Sequence, residues 1–333
     1  MLKLTGHVLR RLRWGLLSTA RINRAVIPPI RASARGELAA VASRDAAKVD
    51  SYAKEWEIPK TYSSYEAMLG ADDVDVVYVS LPNSLHAEWA VKSVEAGKHV
   101  LLEKPFALTV GEVDRVIDAA KRTGRVVAEA FMYRHHPQTL KVKELVDGGA
   151  IGDVSLVRAS FTFTLAREQD VRLDPAMGGG SLWDVGCYPM SLAQYIFGGA
   201  PEEVFGWQKD DATGIDGTFV GQMRYAGGRL AQFDCGFRAP FRTHAEIVGS
   251  AGTITLTMPF KPDVNAQIIL RREDAEEHVA AENQPLYEGE VEDMHDAILD
   301  GKPTRVSLAE SRNHVATICA LYESARRGQP VRM

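Results

Sequence analysis

Between Leu12 and about Phe131, short apolar runs alternate with helical stretches, and this alternation constrains the fold more than any other feature of the chain. Repeated strand–helix units of this kind bury both faces of a parallel sheet under helices. The pattern predicts strands at Arg13–Leu17, Leu38–Ser43, Val74–Ser80, Val100–Leu102 and Val126–Ala130. Helical spacing and good helix formers predict helices over Ala46–Glu57, Ser64–Leu69, Leu85–Ala96 and Val110–Thr123, with Gly97 closing one of them.

After about Tyr133 the period changes. Longer strands of alternating polarity are expected at Val154–Thr164, Thr218–Tyr225, Leu230–Phe237, His244–Gly249 and Thr253–Thr257, several joined by glycine turns. Such strands make a largely antiparallel sheet with one open face. Helices near Pro137–Gly148, Met190–Phe197, Glu288–Leu299 and Leu308–Arg327 would cover the other face. The expected fold class is α/β, with a dinucleotide-binding domain over 1–131 and a substrate-binding and oligomerisation domain over 132–333. At 333 residues the chain is long for one core, which agrees with two domains.

A formal net charge of −5 gives no reason to expect nucleic acid. Arg10, Arg11 and Arg13 are preceded by no long apolar run, so neither a leader nor a membrane span is supported, and a cytoplasmic location is expected. Three distant cysteines and nine scattered histidines show no metal-ligand spacing, so no metal is expected.

In an open parallel sheet, ligands bind beyond the carboxyl ends of the strands. The first strand runs into Ser18-Thr19-Ala20-Arg21-Ile22, where a dinucleotide-binding turn would stand, but Ser18 and Ala20 replace its first two glycines. The hydroxyls of Ser18 and Thr19 could donate to phosphate oxygens, beside amides at the helix N-terminus. The second strand ends at Ser43-Arg44-Asp45. A serine and an arginine there favour a ribose 2′-phosphate, hence NADP(H), with NAD(H) a weaker alternative if Asp45 faces the ribose. The third strand leads into Ser80-Leu81-Pro82-Asn83-Ser84-Leu85-His86; Asn83 and His86 could reach cofactor or substrate, and Asn83 or Ser84 equally suits capping the next helix.

Glu103-Lys104-Pro105 then places an ammonium group at the end of the fourth main strand. Far downstream, a flexible triple glycine at 178–180 precedes Asp184 and Tyr188, four residues apart and able to share a helix face. A phenol has an ordinary pKa of about 10. A nearby ammonium would stabilise its phenolate, so Lys104 and Tyr188 form a coherent acid–base pair.

Trp14-Gly15, Pro82-Asn83-x-x-His86, the run Ala96 to Pro105, Glu129 to Arg134, and the segment Gly178 to Tyr188 together resemble the glucose-fructose oxidoreductase, inositol dehydrogenase and MocA-like family over nearly the whole chain. The resemblance implies a Rossmann domain binding its cofactor through Ser18 to Ile22, Ser43, Arg44, Ser80 to Asn83, His86, Glu103 and Lys104. It also implies a C-terminal open sheet that makes a homodimer or dimer of dimers, and a frequently cis bond before Pro105. Many members carry Asp-x-Gly-x-His where this chain has Asp184-Val185-Gly186-Cys187-Tyr188, which is similar to NADP-dependent aldose dehydrogenases and dimeric dihydrodiol dehydrogenases. Arg172 resembles the same subgroup; it would reach a substrate hydroxyl or acid, or pair with Asp170 or Asp174. The expected function is NADP(H)-dependent oxidation of a cyclic sugar to its lactone, with Tyr188, Lys104 and Asp184 catalytic and Arg172 on the substrate. Alternatives are a ketosugar reductase, a trans-dihydrodiol dehydrogenase, an aldose-aldose oxidoreductase with retained cofactor, and a cofactor-binding regulator.

Overall fold

The computed structural model describes residues 11–167 and 169–333; Arg10 and the segment before it, on which the expectation of no leader rests, lie outside the described residues. In chain order the first half comprises β1 (Leu12–Leu17), α1 (Asn23–Ala32), β2 (Gly36–Ala42), α2 (Ala46–Glu55), β3 (Lys60–Tyr62), α3 (Tyr65–Leu69), β4 (Val76–Val79), α4 (His86–Glu95), β5 (His99–Glu103), α5 (Val110–Thr123) and β6 (Val127–Ala130). The second comprises α6 (Pro137–Asp147), β7 (Val154–Thr164), α7 (Cys187–Phe197), β8 (Glu203–Asp210), β9 (Asp216–Arg224), β10 (Leu230–Gly236), β11 (Arg238–Gly249), β12 (Gly252–Leu256), β13 (Ile268–Arg272), β14 (Ala275–Val279), α8 (Glu288–Leu299), α9 (Leu308–Arg327) and β15 (Val331–Arg332).

The first sheet has the order β3-β2-β1-β4-β5-β6, and every pair in it is parallel. This is the doubly wound dinucleotide-binding order, in which the sequence of strands reverses between β1 and β4 while all of them run the same way. β4 is buried along its whole length, as a strand between two helical layers must be. Local signals set its helices: Thr109 and Glu112 close a capping box on α5, and Gly124 ends that helix in the left-handed conformation.

The second sheet has nine strands, in the order β14-β13-β12-β11-β7-β10-β9-β8-β15. It is antiparallel except where β7 and β10 run parallel. Phe219, Phe233 and Cys235 face the helices, while Trp207 and Phe241 stand more than half exposed. Helix α8 returns to the first sheet, where Val291 and Met294 join the core around Trp14, Val26 and Ile30.

Candidate active site

At the end of β5 the Lys104–Pro105 bond is cis, and the Lys104 side chain crosses to the second half of the chain. Its Nζ donates to the Asp184 carbonyl at 2.6 Å and to Asp184 Oδ1 at 2.9 Å. Asp184 Oδ2 accepts from Arg172 Nε at 2.7 Å, and Arg172 Nη1 also donates to Asp170 at 3.2 Å. One carboxylate thus joins two cations. Burial pushes the Asp184 pKa up, but Lys104 and Arg172 outweigh it and hold the group at about 2. Burial likewise opposes the charge on Lys104, yet Asp184 leads the groups that raise its pKa, so the ammonium is secured. Arg172 therefore makes the ion pair expected with Asp170 and a further one with Asp184.

Asp184 lies in a π-helical turn, Leu182–Gly186, that runs into α7. The wider turn changes the angle between residues four apart, so Asp184 and Tyr188 approach Lys104 from different sides. The Lys104 Nζ stands over the Tyr188 ring, 5.1 Å from its centroid. Tyr188's hydroxyl donates to Met132 Sδ at 3.4 Å, and its ring packs among Phe131, Tyr133, Phe161 and Phe260. Burial raises its pKa well above 10. The expected depression of this phenol by Lys104 is therefore not present in this structure, because Asp184 takes the ammonium hydrogens instead.

Several strand-end residues serve the scaffold rather than the cleft. Ser18 adopts φ 146, a conformation natural to the glycine it replaces. Its buried hydroxyl bonds Ser80 Oγ at 2.9 Å and accepts from the Ala20 amide at 3.1 Å, so it folds the turn instead of facing phosphate. Ser80 donates to Asn23 at 2.6 Å. His86, expected at the cofactor, is fully buried; its Nδ1 lies 2.7 Å from Pro105 O and its Nε2 2.8 Å from Leu81 O, stapling two strand-end loops together. Asn83 donates to Gly178 O at 2.9 Å, linking the two halves of the chain. Glu103 turns its carboxyl inward to the Tyr78 hydroxyl and the Lys104 amide. The triple glycine is tightly packed, not flexible: a Cβ on Gly180 would stand 2.3 Å from Asp216 Oδ1 and 2.7 Å from the Tyr322 hydroxyl.

The open side of the first turn is formed by Thr19, Ala20, Arg21 and Ile22, with buried Leu81 and partly exposed Pro82 beyond it. No side chain caps α1; the Asn23 and Ala25 amides turn back to the Ala20 and Ile22 carbonyls, at 3.1 and 2.8 Å, while the helix N-terminus still presents its positive end to an anion. At the end of β2, Ser43 Oγ accepts from the Asp45 amide, while the Asp45 carboxylate caps α2 by accepting from Lys48 N at 3.0 Å. Asp45 is thereby committed to the helix. Arg44 is exposed and makes no ion pair or hydrogen bond among the described residues.

Residues 12–131 match the model of the oxidoreductase family with an NAD-binding Rossmann fold, and residues 139–255 match that of the GFO/IDH/MocA C-terminal domain. The chain belongs to the Gfo/Idh/MocA family of oxidoreductases. It is 37% identical over 325 residues to a D-xylose 1-dehydrogenase (NADP(+)) of Haloferax volcanii, covering 96% of this chain and 99% of that protein. Its fold is similar to a 3-ketoreductase from Actinomadura kijaniata in complex with NADP and TDP-benzene, with a TM-score of 0.89 and 28% identity over 95% of this chain and 98% of that one. It is also similar to an aldose-aldose oxidoreductase from Caulobacter crescentus, with a TM-score of 0.90 and 26% identity over 97% and 100% of the two chains. The Gfo/Idh/MocA cofactor here is NADP(H), and the residues fit it: the acid that would repel a 2′-phosphate is engaged as a helix cap, and the neighbouring arginine is free.

Two contributors carried no strong sequence signal. Met132 holds the Tyr188 hydroxyl, and Phe260 packs against the Tyr188 ring with Lys261 beside it. Pro259-Phe260-Lys261-Pro262, an aromatic and a cation between two prolines just past a strand, was the available hint. Among the described residues no helix is long and apolar enough to cross a membrane, and no acid, histidine and cysteine cluster could hold a metal ion.

Proposed function

We propose that this sugar-acting, NADP-linked oxidoreductase is an aldose 1-dehydrogenase, oxidising the anomeric CH–OH of a pyranose or furanose to a lactone. The observation that carries this reading is the ammonium of Lys104, held by Asp184 at the end of β5 with the Tyr188 ring against it. Bound cofactor supplies the hydride acceptor. Lys104 donates a hydrogen bond to the reacting oxygen, and Asp184 and Arg172 orient a neighbouring hydroxyl. In this reading the Tyr188 hydroxyl exchanges Met132 for Lys104 and gives its proton to solvent, and the phenolate, stabilised by the ammonium, then accepts the substrate proton. The name of the Haloferax volcanii relative supports this direction and substrate class.

The raised pKa of Tyr188 favours a second reading. A phenol kept protonated is a proton donor, which suits reduction of a ketosugar, the activity named for the Actinomadura kijaniata neighbour. One assay separates the two. Purified protein is mixed with NADP⁺ and a panel of aldoses, polyols and dihydrodiols, and separately with NADPH and ketosugars, while reduced nicotinamide is followed by absorbance. Aldose-dependent reduction of NADP⁺ that Tyr188→Phe abolishes supports the first reading. Turnover only with NADPH and ketones supports the second, and turnover in neither arm leaves the protein a cofactor-binding regulator.

A further inference from the structure

The surroundings of Asp184 carry more basic groups than a neutral sugar requires. Phe260 is fully buried and stacks on Phe161, with ring centroids 5.7 Å apart, which fixes the loop after β12 against the Tyr188 aromatic cluster. Lys261 follows directly. Its Nζ stands 5.6 Å from the Phe161 centroid, and the side chain makes no ion pair or hydrogen bond among the described residues. Although exposed, Lys261 is surrounded closely enough by protein that burial lowers its pKa, and Lys104 and Arg172 lower it further against the pull of Asp184. It therefore shares the field of the reacting centre.

Arg172 spends Nε and Nη1 on Asp184 and Asp170, but its Nη2 has no partner among the described residues. Arg21 is exposed at the first turn, and its pKa is lowered by Arg24, Arg167 and Arg172 against the pull of Asp170. Like charges in excess of their carboxylate partners repel one another, and an anion relieves that repulsion. Arg21 and Arg24 lie at the dinucleotide turn, at the end of the cleft where cofactor phosphates would bind. Lys261 and the free edge of Arg172 are on the substrate side and have no such explanation.

We infer that Lys261 and Arg172 form a subsite for an anionic substituent, a phosphate or a carboxylate, carried by the substrate beside its reacting hydroxyl. The inference rests on the sugar-oxidoreductase reading and narrows its substrate class to charged sugars. An ammonium over an aromatic face and a guanidinium with one free nitrogen offer directed donors to such an oxygen set. A free sugar phosphate, a uronic acid and a nucleotide-linked sugar all present this chemistry.

The test compares xylose and glucose with glucose 6-phosphate and glucuronate in the NADP⁺ assay, for the wild type, Lys261→Gln and Lys261→Arg. The wild type is expected to prefer a charged substrate over its neutral counterpart. Lys261→Gln should lower the charged-to-neutral ratio of kcat/KM by about 10- to 100-fold, mainly through KM, and Lys261→Arg should restore it. An unchanged ratio in Lys261→Gln overturns the subsite. Calorimetric titration of the NADP⁺-loaded protein with inorganic phosphate and with uridine diphosphate separates the sources: tight binding of the diphosphate alone, lost in Lys261→Gln, identifies a nucleotide-linked substrate. The titration also stands if no aldose is turned over, so failure of the sugar-oxidation reading and failure of the subsite are distinguishable. Absence of binding by either anion together with indifference to substrate charge overturns the inference.

Discussion

Lys104 Nζ and Asp184 Oδ1, eighty positions apart in sequence, lie 2.9 Å from each other with both side chains largely buried. The pair is flanked by Arg172, so its carboxylate balances two cations. Removing that carboxylate leaves Lys104 with only the Asp184 carbonyl and Arg172 with only Asp170 as partner. Asp184→Asn is expected to lower kcat by about 10²-fold or more while NADP⁺ affinity changes little. Steady-state kinetics beside a fluorescence titration with cofactor measures both.

The same residue gives a pH signature in stability. Its folded pKa of about 2 lies below its ordinary 3.8. Between these values the unfolded chain binds more protons, so stability rises with pH across that window and is lost as pH falls through it. The contribution is on the order of 2 kcal/mol. Denaturation of the wild type and Asp184→Asn should differ most above about pH 4 and converge towards about pH 2. A gap that stayed constant over this range would show that the ion pair does not carry the effect.

Cofactor choice is expected to depend on Arg44. With Asp45 capping α2, the guanidinium is the charged group left to meet a 2′-phosphate at this strand end. Arg44→Ala should raise KM for NADP⁺ by about 10- to 100-fold and leave KM for NAD⁺ nearly unchanged. Equal losses with both cofactors would place Arg44 elsewhere.

The clearance around the triple glycine predicts a structural failure. At φ 128 and with Asp216 and Tyr322 against the site of a Cβ, Gly180→Ala meets both strain and overlap. A loss of about 2 kcal/mol or more is expected, read as a lower denaturant midpoint. A wild-type midpoint would contradict the packing described.

Much of the first sheet was legible because its strands are continuous apolar runs separated by helices with the right period. The strands that escaped are edges or depend on neighbours. β3 is three residues of Lys, Thr and Tyr, and β14 is Ala-Glu-Glu-His-Val, largely exposed and paired only with β13. Neither sequence carries a buried face that periodicity could reveal. At the site, sequence brings Lys104, Asp184, Tyr188 and Arg172 forward as a group, and the structure gathers them. It does not reveal how their hydrogens are divided, since the π turn decides which side Asp184 and Tyr188 present. Nor does a polar residue at a strand end announce whether the backbone will consume it, as it does with Ser18 and His86. Lys261 escaped because its neighbour Phe260 reaches Tyr188 only through tertiary packing.

Trp14, in the middle of β1, donates its indole hydrogen to His295 on α8 at 3.0 Å, and Ser33 lies 3.2 Å from the other ring nitrogen of that histidine. Trp14 thus waits for a residue synthesised 281 positions later. Until α8 is made, the core around Trp14 lacks Val291 and Met294, and the dinucleotide-binding sheet is open on one side. Domains commonly mature in the order of their synthesis. Here the dinucleotide-binding sheet is begun before β7 to β14 of the second sheet and covered only after them, so a ribosome stalled before residue 288 would release a chain whose cofactor half is still incomplete.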